Sequence, residues 1–300
     1  MLKEIILSWQ FLAVFATLLW SIINIVDKHI ISEKIRQVRI AIIFTFVGSL
    51  IILAILQFFA KIVLPAFPIL ALIVFSGILW IVAVIFYYKA LQQDEVSRII
   101  PIFLLDPIFT AILAAVFLRE VFSPTIYFGL LLVVGGAILI SIKKREGILF
   151  GKGFWFILAS TIIISADGII LKFVLEQLDF VSVFFWGRVG AAIGAIPFFL
   201  LYKKNFFDTI KLEKTASTIL FSTDLLSAIA GIIITLAIAL GPVTLITTIT
   251  ATQSLFVFAF ALIISKLNPR ILREDTGKTT IAVKLLAIIM MIFGSYLVAT

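Results

Sequence analysis

Ten long apolar runs, joined by short polar segments, leave this chain of 300 residues almost nothing with which to build a water-soluble domain. They lie at roughly 9–27, 38–60, 68–88, 99–118, 123–142, 152–175, 180–201, 216–240, 243–265 and 281–299. Each is close to the length of about 20 residues that a helix needs to cross a hydrocarbon core. Where no water is present, only a helix satisfies its backbone hydrogen bonds run by run. The composition agrees: 63% of residues are hydrophobic and 13% charged, where a soluble domain carries about a quarter charged. The expected fold is an all-α integral membrane protein with ten transmembrane helices. The first run has no A-x-A-like cleavage signal and nine more follow it, so it reads as a helix and not as a removed leader.

The formal net charge of +8 has a membrane explanation. Nineteen of the 24 lysines and arginines lie in or beside the joints after runs 1, 3, 5, 7 and 9, and four lie on the other side. Positive charge flanking membrane helices marks the cytoplasmic face. That reading needs no nucleic-acid partner. It places the odd-numbered joints in the cytoplasm and both termini outside, in a cell membrane of the inner or plasma type. The chain has no cysteine, which excludes disulfides and thiolate metal sites. Its single histidine, His29, has no metal-ligand cluster around it in sequence, and no G-x-x-x-x-G-K-[ST] occurs. No metal, cofactor or ATP hydrolysis is expected, and no pair of catalytic groups points to an enzyme.

The chain also repeats itself. Trp20-Ser21-Ile22-Ile23-Asn24-Ile25-Val26-Asp27-Lys28 is echoed by Ile164-Ser165-Ala166-Asp167-Gly168-Ile169-Ile170-Leu171-Lys172, with serine and lysine seven residues apart in both. Arg39-Ile40-Ala41 then matches Arg188-Val189-Gly190, and Phe75-Ser76 matches Phe221-Ser222. Ala90-Leu91 matches Ala239-Leu240, and Val96-Ser97 matches Val243-Thr244. This order aligns Asp106 with Gln253, and Gly129 and Gly136 with Ala287 and Gly294. Five runs per copy is an odd number, so the second copy would enter the membrane from the opposite side, as in inverted-repeat transporters. The expected units are residues 1–142 and 153–300, two inverted five-helix repeats joined by a basic connector at 143–152.

The landmarks of the first copy carry a family resemblance. Tyr87-Tyr88-Lys89-Ala90-Leu91, Leu105-Asp106-Pro107-Ile108-Phe109, Leu118-Arg119-Glu120, and Gly129 with Gly136 resemble the EamA-type unit of the drug/metabolite transporter superfamily. Trp20-Ser21 and Arg39 fit the same pattern. The second copy departs from it, with Gln253-Ser254 in place of the acidic-Pro pair and no glutamate at Lys266-Leu267. The resemblance implies transport. The family's range includes exporters of amino acids and other metabolites, drug exporters and sugar-linked carriers, so the substrate stays open.

Ionisable residues inside a membrane cost about 2.5–3.5 kcal/mol on insertion scales and normally face a cavity or a partner. Asp106, Asp167, Arg188 and Asp224 lie well inside runs. Asp106 precedes Pro107, which removes a backbone donor and predicts a kink or hinge. It reads either as a substrate or proton site or as a hydrogen-bonded packing element. Arg188 keeps its charge and needs an anion, either a structural partner or a substrate carboxylate. Ser21, Asn24 and Lys28 share one helix face by spacing, as do Ser165, Gly168 and Lys172. Small and hydroxyl residues also glue membrane helices together, so those faces have two readings. Run 9 carries Thr244, Thr247, Thr248, Thr250, Thr252, Gln253 and Ser254, which makes runs 4 and 9 candidate cavity walls. Trp80, Trp186, Tyr87 and Tyr88 could offer aromatic faces to a ligand, although interfacial anchoring is the preferred reading for Trp9, Tyr88 and Trp155.

The expected function is a secondary transporter, a permease acting by efflux, for a small organic metabolite such as an amino acid or amine. It would work by alternating access around a midplane cavity lined by runs 1, 3, 4, 6, 8 and 9, with run 7 adding Arg188. The lipid bilayer, a small-molecule substrate and protons are the expected partners, and the protein would act as a monomer or homodimer. The alternatives are an uncoupled facilitator, uniporter or exchanger, and an integral-membrane enzyme on lipid-linked substrates.

Overall fold

A computed structural model describes residues 8–35, 37–93, 102–141, 152–257, 259–260 and 278–299. Every regular element among them is helical. Helix α1 (Trp9–His29) starts at Ser8, whose side chain accepts the Phe11 amide, and ends in one wide turn at Ile30–Lys34. It is followed by α2 (Val38–Phe59), α3 (Phe67–Gln93), α4 (Asp106–Phe117) and α5 (Pro124–Ser141). The second half holds α6 (Lys152–Leu175), α7 (Phe180–Leu212), α8 (Lys214–Leu240), α9 (Val243–Thr250) and α10 (Lys278–Ala299). Six of these are long and apolar enough to cross a membrane: α1, α2, α3, α6, α7 and α8. The other four are apolar but shorter. Of the connector at 143–152 only Lys152 is described, and the basic joint around Lys266–Asp275 lies outside the described residues.

The principal packing pairs join the first half of the chain to the second. Helix α5 packs on α10, α3 on α6 and α7, α2 on α7, and α1 on α8. Helix α4 contacts α6 and α9, and α9 also contacts α1. The outward faces are apolar: Phe58 and Phe59 are each 85% exposed, and Leu131, Ile289 and Leu201 lie bare on other helices. Such a surface suits lipid. In lipid, apolar burial does not drive helices together, so close van der Waals approach must. The glycines provide it. A Cβ on Gly129 would sit 2.9 Å from the Gly294 carbonyl oxygen, and one on Gly136 would sit 2.8 Å from that of Ala287. Gly77 lies against the backbone of Gly187, Gly190 and Ala191 in the α3–α7 crossing.

Runs 4 and 9 are interrupted at corresponding places. Ile102–Phe103 is helical, Leu104–Leu105 is a turn, and α4 begins at Asp106 with Pro107 in its first turn. Proline is accommodated there because the amide it lacks would be unpaired in any case. The interruption therefore lies just before Asp106 and Pro107, in the stretch where the missing proline amide predicts a kink. In run 9, α9 stops at Thr250, Ala251–Thr252 is a turn, and helix resumes at Gln253. Ser254 follows Gln253, so this second interruption needs no proline. Helix α7 outlasts its expected end at residue 201: it bends at Tyr202 (φ −125°, ψ 17°) and continues to Leu212. Phe206 on that extension packs edge-on to Phe44 of α2, with ring centroids 4.9 Å apart.

Overpacking a tight crossing costs about 1–3 kcal/mol. Gly294→Leu should therefore lower the thermal unfolding midpoint of detergent-purified protein clearly. Gly135→Ala should leave it nearly unchanged, because its Cβ would meet only Met290 Cε at 3.4 Å.

Candidate functional site

A small cavity lies between α1, α2, α3, α7 and α8. Its lining includes Asp27 from α1, Thr45 and Phe44 from α2, Trp80 and Tyr88 from α3, Arg188 from α7, and Thr223, Asp224 and Ser227 from α8. These residues sit where α1 and α3 end and where α2 and α8 begin, so the cavity lies in the half of the molecule bordered by the odd-numbered joints. Asp27 is 6% exposed and accepts a hydrogen bond from Thr223 Oγ1 at 3.2 Å. Arg188 is 9% exposed, with its guanidinium 5.0 Å from the centre of the Phe184 ring. Asp224 is the acidic group that acts electrostatically on Arg188, and it bonds Thr45. Its second oxygen, Oδ2, is buried with no hydrogen-bond partner among the described residues. That oxygen rests over the bare Cα of Gly48, in the space a side chain would fill. Two carboxylates and one guanidinium thus share one enclosed space with a tyrosine and a tryptophan.

The sequence candidates divide into those in this cavity and those outside it. Arg188, Asp224 and Trp80 line it. Asn24 accepts a hydrogen bond from Tyr87 Oη at 3.3 Å, and Tyr87 stacks beside Tyr88, 5.6 Å between centroids. Asp106 and Asp167 are held elsewhere. Asp106 accepts from Ser165 Oγ at 2.6 Å and from Thr110 Oγ1 at 3.2 Å. Asp167 accepts from Ser76 Oγ. Gln253 receives on its backbone carbonyl a 3.5 Å contact from Ser21 Oγ, and Ser165 Oγ reaches the Asp106 carbonyl at 3.4 Å in the same way. Each serine therefore touches the residue that restarts an interrupted helix.

Three expectations about the walls are corrected. Helices α4, α6 and α9 do not line the cavity, and α2 does. The threonines of run 9 are satisfied locally: Thr247 and Thr248 donate to the Thr244 carbonyl, Thr250 to Thr247 and Thr252 to Ile249. Hydroxyls on a helix commonly back-bond in this way, which removes the need for a polar cavity beside them. Trp186 is a loop anchor. Its indole N–H donates to the Val63 carbonyl at 2.9 Å, and Ser182 Oγ accepts the Val63 amide at 2.9 Å.

Asp27, Thr45, Tyr88 and Thr223 were not singled out from the sequence as site residues. Asp27 lies one helical turn beyond Ile23, which also lines the cavity, and that spacing was the available signal. Tyr88 looked like an interfacial anchor but is 8% exposed and faces inward.

Residues 7–142 match the EamA-like transporter family, in keeping with the motifs of the first half. The apolar helices are those of a multi-pass membrane protein. An uncharacterized protein of Methanocaldococcus jannaschii is 29% identical over 103 residues, 34% of this chain and 75% of that protein. A solved crystal structure superposes with TM-score 0.70 over 97% of this chain and 96% of its own, at 15% identity, which is a likeness of fold.

Because the Asp224 carboxylate occupies the space over Gly48, Gly48→Ala should displace it. The variant is expected to fold and to reproduce the ligand-binding loss of Asp224→Asn, read as loss of ligand-induced thermal stabilisation. Ser49→Ala, one position away, should retain binding.

Proposed function

We propose that this protein is a secondary transporter that exports a small organic metabolite carrying both a cationic amine and a carboxylate, as an amino acid does. The observation that carries this reading is the pairing of Arg188 with Asp224. The carboxylate keeps a buried oxygen without a donor among the described residues, and the guanidinium borders the same pocket beside the Phe184 ring. A buried carboxylate oxygen without a hydrogen bond is costly, and the ammonium of a bound zwitterion would supply the missing donor. Its carboxylate would meet Arg188 in the forked geometry guanidinium favours. Its ammonium would meet Asp224 and Asp27. Phe44, Trp80 and Tyr88 would enclose the rest of the molecule, with cation–π attraction available to the amine.

The architecture in this reading is ten membrane helices in two inverted repeats, residues 1–142 and 153–300 about a connector at 143–152. Exchanging α1–α5 with α6–α10 turns the α1–α8 pair into α6–α3 and the α1–α9 pair into α6–α4, and returns α5–α10, α2–α7 and α4–α9 to themselves. All of these pairs are in contact, which supports the repeat. The turns before Asp106 and Gln253, with the matching Ser165 and Ser21 contacts, support it further. Transport would proceed by alternating access, the repeats rocking about the cavity. With the odd-numbered joints in the cytoplasm, the cavity lies on the side from which an exporter loads. Asp106 and Asp167, outside the cavity, are the candidates for a coupled proton.

The test is a thermal-shift screen of purified protein against amino acids, amines and carboxylic acids, since a ligand selective for the folded state stabilises it by mass action. A zwitterion should stabilise the wild type and fail to stabilise Arg188→Gln or Asp224→Asn. Asp106→Asn should keep that binding but lose the response of liposome transport to an imposed pH gradient. Stabilisation of Arg188→Gln equal to that of the wild type would sink the site assignment. A response of transport to the gradient that survives Asp106→Asn would remove Asp106 from coupling.

A further inference from the structure

At the end of the molecule opposite the cavity, four segments converge on the two-residue joint Gly241–Pro242. Lys172, in the last turn of α6, donates from Nζ to the carbonyls of Ile238 at 3.0 Å and Gly241 at 2.9 Å. It thereby ties off the C-terminus of α8, where a cation complements the helix dipole. Glu120, in the joint between α4 and α5, holds the other side of the turn. Its Oε1 accepts from the Val243 amide at 3.3 Å, and its Oε2 accepts from Thr244 Oγ1 at 3.0 Å and the Thr244 amide at 3.5 Å. These are orphan donors at the N-terminus of α9, where a carboxylate complements the dipole. The backbone turns sharply to present Glu120: Arg119, just before it, has φ 56°, the one non-glycine positive φ among the described residues. An arginine adopts that conformation only where its surroundings enforce it. The ring of Trp9, at the start of α1, covers Gly241, whose Cβ would lie 2.6 Å from Trp9 Cγ.

We infer that Glu120 and Lys172 are gate residues: they hold the α8–α9 joint closed on the face away from the cavity, and cargo reaches that face when both let go. The placement carries the argument. Helices α1 and α8 both border the cavity at one end and are fastened by this clamp at the other. Release of the joint frees the two helices that carry Asp27 and Asp224, so opening of the far face and loss of the cargo site would come together. The clamp is charged on both sides of the turn and stands where helix ends meet polar headgroups, so water can replace its contacts when it opens. The inference builds on the alternating-access reading, and its first test, the labelling experiment, needs no knowledge of the cargo.

The chain contains no cysteine, so Ser227→Cys places a single label in the cavity. The probe is a membrane-impermeant maleimide applied to either face of oriented vesicles. Glu120→Gln in this background keeps the side-chain shape and removes the charge. Modification from the face bearing Gly241 should rise about tenfold, because charge-assisted hydrogen bonds that favour the closed state are weakened. Modification from the cavity face should stay level or fall. An unchanged rate at the Gly241 face overturns the proposal. So does an equal rise at both faces, which would mark a merely structural contact. A second variant locks the joint: Trp9→Cys with Gly241→Cys, oxidised to a disulfide, should abolish efflux of the zwitterion identified by thermal shift, and reductant should restore it. Undiminished efflux by the cross-linked protein overturns the proposal, whereas a failed ligand screen would count only against the cargo assignment.

Discussion

Every polar group carried into hydrocarbon must find its hydrogen bond inside the protein, and the rest of this structure follows from that constraint. It dictates helices, because only they satisfy their own backbone. It also sorts the side chains. Thr17, Ser21, Thr161, Thr235 and, in run 9, Thr247, Thr248, Thr250 and Thr252 return their hydroxyl protons to their own helices and need nothing more. Asp106 and Asp167 are satisfied by Ser165 and Ser76 on neighbouring helices. Against that background, the Asp224 oxygen without a donor among the described residues and the buried Arg188 guanidinium stand out. They occur in one cavity, with opposite charge.

Much of the scaffold was legible in the sequence. The ten runs are each met by an apolar helix, and the boundaries of α2 and α6 and the start of α9 fall within a residue or so of expectation. Apolar length carries that information directly. The interruptions before Asp106 and Gln253 were less legible. Pro107 marks the first, since the break falls just before it and the proline sits in the first turn of the restarted α4. Nothing in Thr250-Ala251-Thr252-Gln253 marks the second, because it is set by packing against α1 and α4. The glycines were legible as landmarks but not as contacts. Gly129 and Gly294 meet across α5 and α10, and that pairing depends on three-dimensional crossing, which sequence periodicity does not fix.

The site was read only in part, and the reason is physical. Depth within a run was taken as the measure of functional weight, which favoured Asp106 and Asp167 and passed over Asp27 near the end of its helix. A helix end counts as exposed only if it reaches solvent. Asp27 does not, because the first turns of α8 close over it and Thr223 bonds it. Likewise seven polar residues in run 9 suggested a wetted wall, but threonine can serve its own backbone, so its density says little about water. Arg188 was the dependable signal. A side chain that keeps its proton cannot hide in an apolar interior by becoming neutral.

The correspondence between the two halves explains why the cavity has charge at all. Where the halves agree, at Ser21 with Ser165 or Gly136 with Gly294, the residues hold helices to one another. Where they differ, the cavity gains its chemistry. In the pairing argued above, Asp27 corresponds to Leu171, Asp224 to Ile78, and the deep Arg188 to Arg39, which stacks on Tyr202 near a helix end. A symmetric scaffold can present its centre to either face of a membrane, but a symmetric set of charges would duplicate the site. On the proposed inverted repeat, confining the charged members to one side of the pseudo-two-fold relation would leave a single site for both faces to share. The closures on the two faces then need not match. The face near the cavity is shaped by aromatic packing between Phe44 and Phe206, whereas the far face is fastened by Glu120 and Lys172. Aromatic packing yields gradually as helices separate, while a charged clamp on a two-residue joint yields all at once. On the proposed alternating-access cycle, that difference would give the two faces unequal barriers to opening, which is what a carrier needs if it is to wait empty with its cavity toward one side.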